Sequence, residues 1–214
     1  MKKFQVHPAE AAYWDEQAQE RVVERLHDNL IKRQEIVKRL LDCDQWLTRT
    51  VLEIGVGSAL AAGAINLLTL CNWRYVGTDV SKKFCDHASK SFGLNVAQTD
   101  VRSLPAEDGV VDSIWAFDSL EHVRPKDRAA GYCEMNRVLH PKTGTLYINM
   151  PLDEEADCHD NHFNHPFDMD DLKEIESVLH MHIVKYEAYS IYYEAIHKVT
   201  RHAWVVMQKN GRQL

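Results

Sequence analysis

Three groups of residues in this chain have the types and spacing to do chemistry. The first is VLEIGVGSALAAG, residues 51–63, where Gly55 and Gly57 follow an apolar run and Glu53 stands just upstream. Glycines have no Cβ, so main-chain N–H groups can approach a ligand closely, and a strand, a glycine turn and a helix in that order build such a cradle in α/β proteins. The second group is a pair of carboxylates: Asp79 closes RYVGTD and Asp100 closes NVAQTD. At the tip of a second strand a carboxylate can accept hydrogen bonds from both ribose hydroxyls. At the tip of a third it can accept from an adenine amino group while the N–H of Val101 donates to the ring. Either residue alone can equally be a helix cap. The third group is rich in imidazole, with Glu121 and His122 in LEHV and with His159, His162 and His165 in DCHDNHFNHPF. Imidazole is the side chain whose ordinary pKa permits proton acceptance near neutrality.

Two cofactor classes compete for the glycine turn. A dinucleotide fingerprint, G-x-G-x-x-G, needs its third glycine at position 60, where this chain has Leu60. An E-x-G-x-G-x-G loop matches Glu53, Gly55 and Gly57 and departs only at Ala59, a small residue. Such a loop offers N–H groups to a carboxylate rather than to a pyrophosphate, with Glu53 organising the turn or receiving an ammonium group. A zwitterionic amino-acid end suits it better than a dinucleotide. Asp157, Cys158, His159, His162 and His165 are dense in metal-ligand types. Their H-x2-H-x2-H spacing does not share one helical face, Pro166 interrupts any helix, and no H-E-x-x-H motif is present, so no metal is expected.

The elements that must position these residues follow from periodicity. Residues 20–41 place Val22, Val23, Leu26, Leu30, Val37, Leu40 and Leu41 at helical spacing, which predicts an amphipathic helix before the first strand. Then come TVLEI, an alanine-rich helix to about Leu70, RYVGTD, a helix over Ser81–Phe92, NVAQTD and SIWAFD. A helix over Lys126–Val138 stops at HPKTG, GTLYINMP is a fifth strand, MDDLKEIESVL a short helix, and KYEAYSIYYE and HAWVVMQ two late strands. This alternation predicts a sheet wound on both faces, with ligands at the carboxyl ends of its strands. The tyrosines 186, 189, 192 and 193 are expected to serve packing.

A length of 214 residues with 45% apolar content suits one substantial core. The formal charge of −7 disfavours a partner such as nucleic acid or an anionic membrane surface. Five scattered cysteines without a C-x-x-C pair read as reduced thiols, and no segment approaches the roughly 18 apolar residues of a spanning helix. A cytoplasmic protein is expected.

From residue 51 to 151 the chain resembles a class I S-adenosylmethionine (SAM)-dependent methyltransferase, most like the small-molecule branch that includes quinone-biosynthesis enzymes. Four motifs carry the resemblance: VLEIGVGSA, YVGTDVS, DVRSLPAEDGVVDSIWAFDSLEHV and EMNRVLHPKTGTLYINMP. It implies a Rossmann-like, doubly wound seven-stranded α/β sheet, mostly parallel with an antiparallel last strand. It also implies that SAM lies across the carboxyl ends. Glu53, Gly55 and Gly57 would surround its methionine part, Asp79 with Val80 its ribose, Asp100 and Val101 its adenine, and Phe117 and Asp118 its sulfonium side. The whole of 1–214 would form one methyltransferase domain, with 1–48 as a helical cap in which Tyr13 and Trp14 belong to a lid or are simply a buried aromatic pair. His122, His162 and His165 are the candidate catalytic groups, the latter two favoured because HFNHPFDMDDL matches a family loop that borders the acceptor. The D/N-P-P-Y motif of amino-directed DNA methyltransferases is missing. A small-molecule acceptor is therefore expected. The alternatives are a SAM sensor or non-catalytic partner subunit, and a methyltransferase acting on nucleic acid or protein.

Overall fold

The computed structural model describes residues 6–19, 26–43, 50–69, 73–152, 157–159, 162–165, 167–193 and 197–209. Seven strands form one sheet: β1 Thr50–Ile54, β2 Arg74–Asp79, β3 Val96–Gln98, β4 Ser113–Phe117, β5 Thr145–Pro151, β8 Met181–Tyr193 and β9 Lys198–Lys209. Their spatial order is β3-β2-β1-β4-β5-β9-β8. The pairs among β1 to β5 are parallel, whereas β9 runs antiparallel to both β5 and β8. Strand order reverses between β1 and β4, so the connections leaving those strands diverge and open a crevice at their carboxyl ends. Every residue of β4 and β5 is buried, as expected of central strands covered on both faces. On the edge strand β8 burial alternates: Ile191 and Tyr193 face inward while Tyr186 and Tyr192 are exposed.

Period-two alternation divides the sheet's side chains between two cores. On one face Leu52, Ile54, Ile114 and Ile148 pack with α5 Pro125–Val138 and α6 Met169–Leu179. On the other, Val51, Trp115, Phe117, Tyr147 and Trp204 pack with α2 Leu26–Leu41 and α3 Leu60–Thr69. The helix α4 Lys82–Phe92 starts at Ser81, whose hydroxyl accepts from Phe84 N, and ends at Gly93 in the left-handed conformation. Asp168 and Asp171 form a capping box at the start of α6. An N-terminal helix, α1 Pro8–Gln19, packs Trp14 and Ala18 against Phe84 of α4.

Two details differ from the sequence reading. The first residues of β8 extend it upstream of KYEAYSIYYE, with a bulge between Ile183 and Lys185. The segment expected to be a loop contains a two-stranded antiparallel hairpin, β6 Asp157–His159 with β7 His162–Asn164. Asp, Asn and His carry little strand preference, so composition gave no sign of it. Residues 20–25 of the expected first helix lie outside the described residues. Among the described residues no helix is long and apolar enough to cross a membrane.

Candidate cofactor and active site

The glycine turn begins where β1 leaves the sheet. Gly55 has φ +70°, and a Cβ there would lie 2.6 Å from Ser119 Cβ, so the close approach of the loops after β1 and β4 requires glycine. Gly57 is also left-handed, at φ +49°, but faces open space. The turn is tied to β2: Gly55 N and Val56 N donate to Thr78 O at 2.8 and 3.0 Å, and Gly57 N donates to Asp79 Oδ2 at 2.9 Å. Ala59, where a third glycine would stand, takes φ +55°. The loop thus keeps a glycine-like backbone despite the substitution, at a strain of about 1–2 kcal/mol. The Ala59 methyl is buried in the core, which offsets part of that strain.

Three carboxylates stand along the carboxyl ends of β2, β3 and β4. Asp79 Oδ1 accepts from Ser81 N at 2.8 Å. Burial raises its pKa to about 6 against the pull of the Ser81 and Gly57 N–H groups. Asp100 is gripped by Arg102, which donates from its main-chain N at 2.9 Å and from Nε and Nη2 at 2.8 Å, and whose Nη1 also reaches Asp127 at 2.9 Å. Asp118 sits at φ +50° and its Oδ1 accepts from Asn149 Nδ2 at 2.9 Å. Lys32 Nζ and Arg33 Nη1 of α2 lie 3.1 and 3.3 Å from its Oδ2. Burial alone would raise the Asp118 pKa, but these two cations overcome it and hold the group at about 2.

These residues line one continuous cleft with about 990 Å³ of atom-free space, counting its open mouth. At one end stand Asp100, Val101 and Arg102; Asp79 and Val80 follow, then Gly55 and Gly57, and at the other end Arg33, Asp118 and Ser119. His122 and Arg124 belong to the same wall, and Glu10 and Trp14 of α1 close over it. Trp14 meets His122 edge-on at 4.8 Å between ring centroids, and Tyr13 packs on Trp14 at 5.1 Å. Asp15 latches α1 onto the start of α4, its Oδ1 accepting from Ser81 Oγ at 2.6 Å and Lys83 N at 3.0 Å.

Comparison with known proteins accords with this architecture. Residues 51–142 match the family model described as a methyltransferase domain. Residues 51–142 thus form a methyltransferase domain. Among solved structures, it is similar to a SAM-dependent methyltransferase from Methanosarcina mazei, with 17% identity, TM-score 0.64, and coverage of 80% of this chain and 97% of that one. It is also similar to magnesium protoporphyrin IX methyltransferase from Synechocystis PCC 6803 with bound SAM, with 12% identity, TM-score 0.68, and coverage of 98% and 100%. A third similar structure is the cyclase SpnF, with 18% identity, TM-score 0.57, and coverage of 76% and 75%. At these identities the likeness concerns the fold.

The methyltransferase cleft brings together Gly55, Gly57, Asp79, Val80, Asp100, Val101 and Asp118 from the expected cofactor set. Two others lie behind it. Glu53 points into the core on the α2 face, where Tyr75 OH donates to its Oε2 at 2.5 Å and burial raises its pKa to about 7. Phe117 is stacked between Trp115 and Trp204, at 5.7 and 5.6 Å, on the same face. The alternation of β1 and β4 dictates both placements, because Glu53 falls on the face of Val51 and Phe117 on that of Trp115. Of the candidate catalytic groups, His122 lines the cleft. His165 does not line it; its N–H donates to Glu121 O at 2.9 Å and its carbonyl accepts from Arg128 Nη2 at 3.0 Å. The side chain of His162 lies outside the described residues. Sequence reasoning missed Glu10, Arg33, Arg102 and Ser119. Arg102, two residues beyond Asp100, and Ser119, next to Asp118, carried a local signal; Glu10 and Arg33 reach the site through tertiary packing.

The cleft suits SAM on two observations. Gly57, which lines the cleft, presents bare backbone to open space, and Ser119 Oγ is buried in the cleft wall without a hydrogen bond among the described residues.

Proposed function

We propose that the chain binds SAM along this cleft and transfers its methyl group to a small-molecule acceptor. The observation that carries the reading is the serial arrangement of Asp100, Asp79, the glycine turn and Asp118 along one cleft at the topological switch point. A molecule with an adenine, a ribose and a charged amino-acid end offers groups to each in that order. Asp79 would accept from the ribose hydroxyls. The Val101 N–H and Asp100 would meet the adenine edge, with Arg102 holding Asp100 in place. The glycine turn, Ser119 and Asp118 would surround the methionine part, and residues 1–48 would cap the site, with Trp14 over it.

When bound, SAM supplies a methyl group activated by its sulfonium, so that an acceptor lone pair can form the new bond as the carbon–sulfur bond breaks. The protein is then left to align, to exclude water and to accept a proton where the acceptor loses one. His122 is placed for that last task, in the wall beside Ser119 and under Trp14. A small acceptor is favoured by the lid, which leaves a cleft rather than an open groove, and by the net charge of −7.

Calorimetry with SAM, S-adenosylhomocysteine and NAD tests the cofactor; binding of NAD alone would refute it. Methyl-labelled SAM incubated with small-molecule and macromolecular fractions of cell extract tests the transfer. Label in the small-molecule fraction is expected. Label only in macromolecules would move the acceptor to nucleic acid or protein, and binding without transfer would leave a sensor or a non-catalytic subunit.

A further inference from the structure

Two cations converge on one carboxylate at the methionine end of the cleft. Lys32 and Arg33 are sequence neighbours on α2, and both approach the same oxygen, Asp118 Oδ2, at 3.1 and 3.3 Å. Their side chains retain only 18% and 14% of their exposure, and that of Asp118 9%. The Asp118 Oδ1 side is taken by Asn149, which in turn accepts from Tyr189 OH at 2.5 Å. One negative charge therefore faces two positive ones. The geometry of the second pair is poor as well: neither Arg33 Nη1 nor Asp118 Oδ2 makes a well-angled hydrogen bond among the described residues, and beside them Ser119 Oγ also makes none. Two loosely angled charges and one buried hydroxyl without a hydrogen bond, all around one point of a cleft wall, mark a place where a ligand can supply better partners.

The unmet requirement is specific. Arg33 has to share the Asp118 carboxylate with Lys32 and makes no well-angled hydrogen bond to it, Asp118 Oδ2 is held through those two ion pairs, and Ser119 Oγ makes no hydrogen bond among the described residues. A carboxylate and an ammonium on one carbon satisfy all three. Resting on the SAM reading above, we infer that Arg33 is the anchor for the carboxylate of the methionyl end, reached by an exchange of ion pairs. Arg33 turns from Asp118 to the incoming carboxylate, Lys32 stays with Asp118, and the incoming ammonium takes the place that Arg33 leaves. The charges then balance, with Lys32, Arg33 and the ammonium against Asp118 and the carboxylate, leaving one positive charge, as before. Arg is suited to the task because its planar fork binds a carboxylate bidentately. Arg39 keeps α2 in register during the exchange, since its Nη2 pairs with Glu187 at 3.0 Å and its guanidinium lies 3.6 Å from the Tyr189 ring centroid. The site would therefore select for the complete amino-acid end and discriminate against nucleosides that lack it.

Calorimetry with S-adenosylhomocysteine and 5′-methylthioadenosine, which keeps the thioether nucleoside but has no amino-acid end, tests this. The wild-type chain should bind the former more tightly. Arg33→Gln should weaken S-adenosylhomocysteine at least about tenfold while methylthioadenosine changes by less than about threefold. Should Arg33→Gln fail to fold in a thermal melt, Arg33→Lys, which keeps the charge but not the fork, should show the same selective loss in smaller degree. Equal losses for both ligands, or none for either, would overturn the assignment of Arg33 while leaving the cofactor reading intact. Failure of the wild-type chain to bind either nucleoside would instead refute the cofactor reading itself.

Discussion

The main-chain N–H of Gly57 donates to Asp79 Oδ2 at 2.9 Å, so the carboxylate that ends β2 holds the turn that follows β1. The other oxygen, Oδ1, holds the start of α4 through Ser81 N. One side chain thus fixes two loops before any ligand is considered, and it lines the cleft that both loops shape.

Asp79→Ala should weaken SAM binding by about 1–3 kcal/mol, the loss expected for charge-assisted hydrogen bonds to ribose hydroxyls. The pH dependence gives an independent check. Burial raises the Asp79 pKa to about 6, and accepting from both hydroxyls favours the ionised form. SAM affinity measured by calorimetry should therefore rise from pH 5 to pH 7 and level off above, and Asp79→Asn should remove most of that slope. An affinity independent of pH in the wild-type chain would mean that the cofactor does not use the Asp79 carboxylate.

Gly55→Ala should damage both fold and site. The residue would keep a left-handed φ of +70° and push its Cβ to 2.6 Å from Ser119 Cβ. Left-handed strain alone is about 1–2 kcal/mol, and the clash moves the loop after β4 away from the turn. A lowered melting temperature together with lost SAM binding is expected. Gly57→Ala has the strain without the clash and should be milder in both assays.

How much of this was legible in the sequence follows from how far each signal reaches. The parallel strands stood out because β4 and β5 are buried on both faces and so are mostly apolar. Gly55, Gly57, Asp79 and Asp100 were legible because each sits at a strand end, where a change of residue type marks the turn. Glu53 and Phe117 were placed in the cleft by motif alone, although their strand parity points them toward Tyr75 and Trp204. Arg33 was invisible for another reason. On an amphipathic helix bearing several charges, nothing local separates the cation that meets Asp118 from those that face solvent, and only the docking of α2 on the sheet makes the choice.

Tyr75→Phe should destabilise the fold more in alkali than in acid. Burial raises the Glu53 pKa from its ordinary value of 4.5 to about 7. A group shifted in that direction favours the native state below about pH 4.5, and the contribution is lost as pH rises through about 7. Above that pH the native state holds a buried anion that relies on the Tyr75 hydroxyl at 2.5 Å. Removing the donor should cost about 1–3 kcal/mol at pH 8 and less at pH 5, read as the difference in melting temperature between variant and wild type. Equal shifts at both pH values would mean that Glu53 does not change protonation state between them.

His122 and His165 should behave differently once an acceptor is found. His122 lines the cleft and packs against Trp14 of the lid, whereas His165 touches Glu121 and Arg128 through main-chain atoms that any residue supplies. If His122 accepts the proton or positions the acceptor, His122→Asn should lower turnover by about 10²-fold or more while SAM affinity stays within a factor of a few. Asparagine retains a planar polar group against Trp14, so a collapse of the lid would be recognised separately, as a parallel loss of SAM affinity. His165→Ala keeps both main-chain hydrogen bonds and should change turnover by less than about threefold. His162→Ala tests the hairpin from the other strand end, and dialysis of the wild-type chain against chelator tests for a metal held by the histidine segment. Full activity of His122→Asn combined with a large loss in either hairpin variant would move the acceptor-facing group from the loop after β4 to the hairpin after β5.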